Sequence, residues 1–211
     1  MPAGVTSITS SAYDGPDFGW ALFQLIVQNI DSRAGARPAD MVSTLAYLAG
    51  RIIQRAAFRD HPEEFSIDRS ANGVTILRSD SVSERLSMLK PGTLASTLTE
   101  AALIAGARRF PEISKVGQEA REAMQRRGAV ELRGAELSAS PRELVSQVQE
   151  DVDDLLSDPS NRSALVRAAI LACGYAVGYN RTRFCPAEAA ELSLSVALYA
   201  SWVDQRGTPR N

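Results

Sequence analysis

The sequence predicts a mainly α fold, a bundle-like single domain of about seven helices with a small inserted β-hairpin. Three observations carry that expectation. Apolar residues recur at helical spacing in seven segments of the chain. The periodicity switches to alternation only around one Asn-Gly dipeptide, in FSIDRSANGVTILR (65–78). One segment, ALVRAAILACGYAVGY (164–179), carries Arg167 as its only charge, so it is apolar nearly all round.

In chain order, residues 1–15 read as a frayed polar arm, 16–206 as the helical domain and 207–211 as a frayed tail. The first helix runs from Asp17 to about Ser32, with Phe18, Leu22, Leu25, Ile26 and Ile30 on one face and Gly35 as a stop. The second opens at Pro38, a residue suited to a first turn, and runs to about Arg59 with Met41, Leu45, Leu48, Ile52, Ile53 and Ala56 as its stripe. Asn72-Gly73 suits a type I′ hairpin turn, because both residues tolerate positive φ. A hairpin is marginal alone, so it must lie on helices or gain a strand, for which AVELRGAEL (129–137) is the candidate. Further helices are expected at 93–109, 112–127, 141–157, 161–180 and 186–204. Ser140, Pro141 and Glu143 form a capping box that satisfies N–H groups otherwise left unbonded, and Pro159 and Pro186 open the next two helices. Helix 164–179 is too short to span a bilayer and is bounded by Arg162 and Arg181, so it reads as the central core helix. Gly174 and Gly178, with Ala168, Ala172 and Ala176, let neighbouring backbones approach it closely; a dimer seam is the other use of that pattern.

Composition excludes several classes of function. The formal charge of −2 gives no general attraction to nucleic acid or anionic lipid. Cys173 and Cys185 form neither a C-x-x-C pair nor a disulfide framework, and the N-terminus has no cationic or apolar targeting segment; a cytoplasmic location is expected. His61 is the only histidine, which leaves no His-rich zinc site, and no G-x-S-x-G elbow accompanies it. Neither common phosphate-binding glycine loop is present. The arginine pairs 55/59, 108/109, 126/127 and 181/183 read as helix C-terminal residues that complement the helix dipole. The aromatics of DFGWALF (17–23), with Tyr199 and Trp202, read as core packing or an oligomer interface.

The densest charge is QEDVDDLLSD (149–158). On a helical wheel Leu144, Val145, Val148, Val152, Leu155 and Leu156 share one arc, while Glu150, Asp153 and Asp154 lie opposite, the pattern of a solvated face. Asp158 stands as the N-cap of the next helix. Acids in last turns oppose the helix dipole, and Arg162, Arg167, a partner chain or a cation would relieve that cost. Glu119-x-x-Glu122 followed by Glu150-x-x-Asp153 resembles the paired motifs of all-α MazG-type nucleotide pyrophosphohydrolases. The resemblance covers residues 119–153. It implies four carboxylates from two helices holding Mg²⁺ or Mn²⁺ on nucleotide phosphates. The local pattern departs from it: Glu122 points away from the Ile113, Val116, Ala120, Ala123, Met124 stripe, and Glu122–Arg126 and Lys115–Glu119 make pairs along the helix.

With no assembled catalytic set, the expected function is that of a non-enzymatic cytoplasmic protein acting through protein–protein contacts as a homodimer. Its catalytic, cofactor and metal residues are then none. The alternative is the metal-dependent nucleotide pyrophosphohydrolase, with Glu119, Glu122, Glu150 and Asp153 as ligands. A helical protein holding a small apolar ligand between its helices is a third reading. Neither nucleic acid nor membrane is an expected partner.

Overall fold

The computed structural model describes residues 16–31, 37–128, 137–138, 140–146 and 149–203. The expected N-terminal arm, the C-terminal tail, and all but the last residue of the strand expected at 129–137 lie outside the described residues. Among those described, the fold is mainly α: nine helices and one two-stranded antiparallel sheet. The helices are α1 (Pro16–Asp31), α2 (Pro38–Asp60), α3 (Asp80–Ser87), α4 (Leu94–Ile104), α5 (Ile113–Arg127), α6 (Pro141–Val145), α7 (Gln149–Ser157), α8 (Pro159–Tyr179) and α9 (Pro186–Trp202). Strands β1 (Ser66–Arg69) and β2 (Thr75–Arg78) lie between α2 and α3. No helix among the described residues is long and apolar enough to cross a membrane.

The two helices beyond the expected seven have local causes. Helix α3 is two turns long and buries only Val82 and Leu86, too few residues to show periodicity. It starts because the Ser79 hydroxyl accepts the Val82 N–H. The helix expected at 141–157 keeps its capping box at Ser140 and Glu143 but is divided into α6 and α7. At the end of α6 the Ser146 hydroxyl donates to the Glu143 carbonyl, a local bond that competes with helix continuation. Asp158 caps α8 as expected, accepting the Ser160 N–H and hydroxyl.

Helix α4 ends at Ile104, five residues before the expected end. Gly106 has φ +82°; its N–H donates to the Leu103 carbonyl, and the Ala107 N–H donates to the Ala102 carbonyl. That pair of bonds closes the helix with a glycine in the left-handed region. Arg108 and Arg109 therefore lie beyond the helix and do not complement its dipole.

The hairpin differs from a type I′ turn. Strands pair from Ser66↔Arg78 to Arg69↔Thr75. Ser70 N–H donates to the Val74 carbonyl and Gly73 N–H to the Ser70 carbonyl. Only glycines have positive φ among the described residues, so Asn72 does not adopt the conformation that type I′ demands. The connection is Ala71-Asn72-Gly73, a turn followed by a left-handed glycine. Asn72 instead ties the hairpin to α5, its side-chain amide donating to the Arg127 carbonyl at the end of that helix. The hairpin gains partners in α9, which packs on β2, and in Val203, which bridges Ile76.

One apolar core joins all of this. Its centre is α2 against α9, the most extensive helix pair, with α8 packed on α1, α2, α4, α7 and α9. The sequence explains why α2 and α9 lie so close. A Cβ built on Gly50 would stand 2.1 Å from the Ala197 carbonyl oxygen, so the two backbones meet with no side chain between them. Replacing Gly50 by alanine forces the helices apart, at about 2–3 kcal/mol, and lowers the melting temperature by roughly 5–10 °C. The same change at Gly178 meets nothing within 4 Å and leaves the melting temperature unchanged or slightly higher. Thermal unfolding of the two variants side by side checks both.

Candidate functional site

The four carboxylates of the MazG-like pattern are placed as follows. Glu119 lies on the exposed side of α5, and Glu122 is bonded to Arg126 at 2.5 Å and to Gln118 at 3.0 Å. Helix α5 packs on α9 and α3, whereas α7 packs on α8 and α2. Asp153 of α7 is paired with Arg55 of α2. The side chain of Glu150 lies outside the described ones. Among the described residues no group of three or more His, Cys, Asp or Glu side chains could hold a metal ion.

At the end of α7, the charge of Asp153 is relieved by α2 and the free carbonyl of Leu156 by α8. Burial, and then Arg51 and Arg59, push Arg55 down to about 10, which leaves it a cation at neutral pH facing Asp153. Arg162, one of the residues expected to help, donates from Nε to the Leu156 carbonyl at 2.9 Å and pairs with Asp60. Arg59 reaches the Ser157 hydroxyl. Asp158 is held below the usual carboxylate range by its hydrogen bonds from Ser160. Asp153, Ser157 and Asp158 of this stretch thus carry structural work at the α2–α7–α8 junction. His61 is exposed at the end of α2, 3.5 Å from Glu63.

The feature that stands out lies at the end of α4. Leu103 and Ile104 form the last turn of α4, and neither is buried. Ile104 is 77% exposed and Phe110, beyond the Gly106 cap, is 62% exposed. With Leu89 they surround a shallow hollow of about 410 Å³ that also takes in Ser96, Thr99 and Glu100. On the other side of Ile104 lies a groove of about 780 Å³ between α1, α4 and α8. Its apolar walls include Trp20, Leu171, Tyr175 and Tyr179, and its polar groups include Glu100, Arg181 and Thr182.

Small residues shape this groove. Gly19 lets α1 reach α8, where a Cβ would stand 2.8 Å from that of Leu171, and Gly174 lets α8 reach Thr97 of α4. The aromatics hold one another: Trp20 stacks on Phe23 with ring centroids 5.1 Å apart and meets Tyr175 edge-on at 5.4 Å. Phe23 meets Tyr179 edge-on at 5.5 Å. Such contacts add to area burial and fix the rings in place. The expectation of core packing for 17–23 therefore holds for Phe18, Leu22 and Phe23, while Trp20 looks outward.

The segment carrying Phe110 is fastened to α9. Glu191 is 3% exposed, and its two carboxylate oxygens accept Nη1 and Nη2 of Arg109 at 2.6 and 3.0 Å. One of them also accepts the Glu112 N–H at 3.0 Å. Hydrogen bonding to Glu191 raises the pKa of Arg109 further above its ordinary value. A bidentate fork of this kind adds geometry as well as energy. The pair was not legible in the sequence because its members are 82 positions apart; the visible signal was Glu191 flanked by Ala190 and Leu192, past the first turn of a mostly apolar helix.

Arg109→Ala removes the charge partner of a buried carboxylate. The loss is about 2–3 kcal/mol, below that of a fully buried pair because nearly half of Arg109 faces water. Arg109→Lys restores only part of it, since an ammonium cannot reproduce the fork; chemical denaturation of both variants reads the difference. A second test concerns the thiols. Burial pushes Cys173 up to about 12, while Cys185 is exposed. A thiol reagent at about pH 8 labels Cys185 in the folded chain and Cys173 only on unfolding.

Compared with known proteins, the chain matches no family model, no curated protein sequence and no solved structure.

Proposed function

We propose that this chain is a non-enzymatic cytoplasmic helical protein that works through protein–protein contacts and assembles as a homodimer through the face at the end of α4. The observation that carries the reading is the exposed set Leu89, Leu103, Ile104 and Phe110 gathered around one hollow. Contiguous apolar residues on a surface mark interaction sites, whereas scattered ones need no explanation. Aromatic residues and an uncharged centre are what interfaces favour.

A second copy is the partner of choice because the face offers both halves of a contact. Raised apolar side chains stand beside a mostly apolar depression that also takes in Ser96, Thr99 and Glu100, and a two-fold axis sets each against its counterpart. The Gly106 cap and the Arg109–Glu191 fork hold the segment in one geometry, which lowers the ordering cost of association.

Light scattering over a concentration series is the test. Wild-type protein is expected to approach the dimer mass in the micromolar range. Ile104→Glu combined with Phe110→Glu is expected to give the monomer mass at every concentration. Because both side chains lie outside the core, the melting temperature of the isolated chain stays within about 2 °C of its former value. Wild-type protein that remains monomeric at high concentration contradicts the reading.

A further inference from the structure

We propose that the groove between α1, α4 and α8 binds an amphipathic monocarboxylate, its apolar body against Trp20, Leu171 and Tyr175 and its carboxylate on Arg181. The groove shares Ile104 and Glu100 with the hollow of the proposed dimer face, and the closing experiment reads ligand binding and molecular mass separately.

The groove has the size and composition of a ligand site. Small-molecule sites span roughly 300–1,000 Å³, are mostly apolar and carry a few polar groups that fix orientation. At about 780 Å³ this one falls within that range. An apolar occupant that covers the groove's apolar walls removes them from water, which favours binding. The floor is open where α8 carries no side chain: a Cβ on Gly178 would meet nothing within 4 Å. The aromatic walls are set by their contacts with Phe23, so they need little ordering on binding.

The charges decide the chemistry of the occupant. Arg181 follows the end of α8 at the groove, exposed, and makes no ion pair among the described residues. A guanidinium presents a planar fork that matches a carboxylate. Thr182 beside it adds a hydroxyl. Glu100 of α4 also lines the groove, and its charge repels a second anionic group. The ligand is therefore a monoacid, with its carboxylate towards Arg181 and its uncharged end towards Glu100 and Ile104.

The chain carries its own reporter. Of its two tryptophans, Trp20 lines the groove and is 45% exposed, whereas Trp202 is buried elsewhere. Trp202→Phe leaves an emission signal from the groove alone. Dodecanoate is titrated into this protein below its micelle-forming concentration, with methyl dodecanoate as the uncharged analogue, and melting temperature is read in parallel. The expected result is a saturable change in Trp20 emission with dodecanoate and a rise of several degrees in melting temperature at saturation. Arg181→Gln weakens dodecanoate about tenfold or more and leaves the ester unchanged. Gly178→Leu fills the groove, abolishes both responses and melts normally without ligand. Absence of a saturable response, or a dodecanoate affinity unaffected by Gly178→Leu, overturns the proposal. Equal binding of acid and ester overturns the carboxylate assignment. If Gly178→Leu lowers the molecular mass and no ligand response is seen, the groove belongs to the second copy and the proposal falls.

Discussion

Everything else in this structure depends on the contact between the backbones of α2 and α9 at Gly50 and Ala197. With no side chain between them, the two helices bury nearly all of their facing surfaces, and small residues of α9 such as Ala190, Ser193 and Ala200 lie inside the core. That leaves the larger apolar side chains of α8, α4 and α1 to wrap around the pair. It also explains why an acid can sit on α9. Glu191 is drawn inside with the rest of the helix and is stabilised there because Arg109 reaches it from the α4–α5 connection.

This packing determines where apolar surface is left over. Helix α8 is apolar nearly all round and contacts five other helices, yet the edge bearing Leu171, Tyr175 and Tyr179 is covered only in part, by α1, and the groove stays open between α1 and α4. Helix α4 ends two residues before Gly106 with Leu103 and Ile104 outside the core. The two leftovers meet at Ile104, which borders both the hollow and the groove. The site is a consequence of the core: what α2 and α9 do not bury is concentrated at one end of α4. The charged junctions, in contrast, are closed by partners within the chain, as Asp153 with Arg55 and Asp60 with Arg162 show.

The helices were legible in the sequence where their ends carry chemistry of short range. Pro38, the Ser140–Glu143 box and Asp158-Pro159 each act within four residues, and each starts a helix where expected. Gly106 carries the same kind of signal, a glycine stop, but Arg108-Arg109 just beyond it resembled a helix end. Asn72-Gly73 marks a turn, although its type differs from the expected one and Asn72 bonds to Arg127, 55 positions away. The groove and the α4 end were not legible for a physical reason. Periodicity identifies an apolar stripe without telling whether another helix covers it, so Trp20 and Phe23 look alike until α8 is placed. The fork of Arg109 on Glu191 depends on the same tertiary placement.

The central claim is that the end of α4 is an interaction face and that the acidic helices are not. Radical footprinting of side chains, read residue by residue as protein concentration is raised, tests it most directly. Labelling of Leu103, Ile104 and Phe110 is expected to fall together as concentration rises. Ile67, comparably exposed on the hairpin, serves as an unchanging reference. Labelling of the α4 end that stays constant at all concentrations, or protection that develops at Ile67 or along α5 instead, would contradict it.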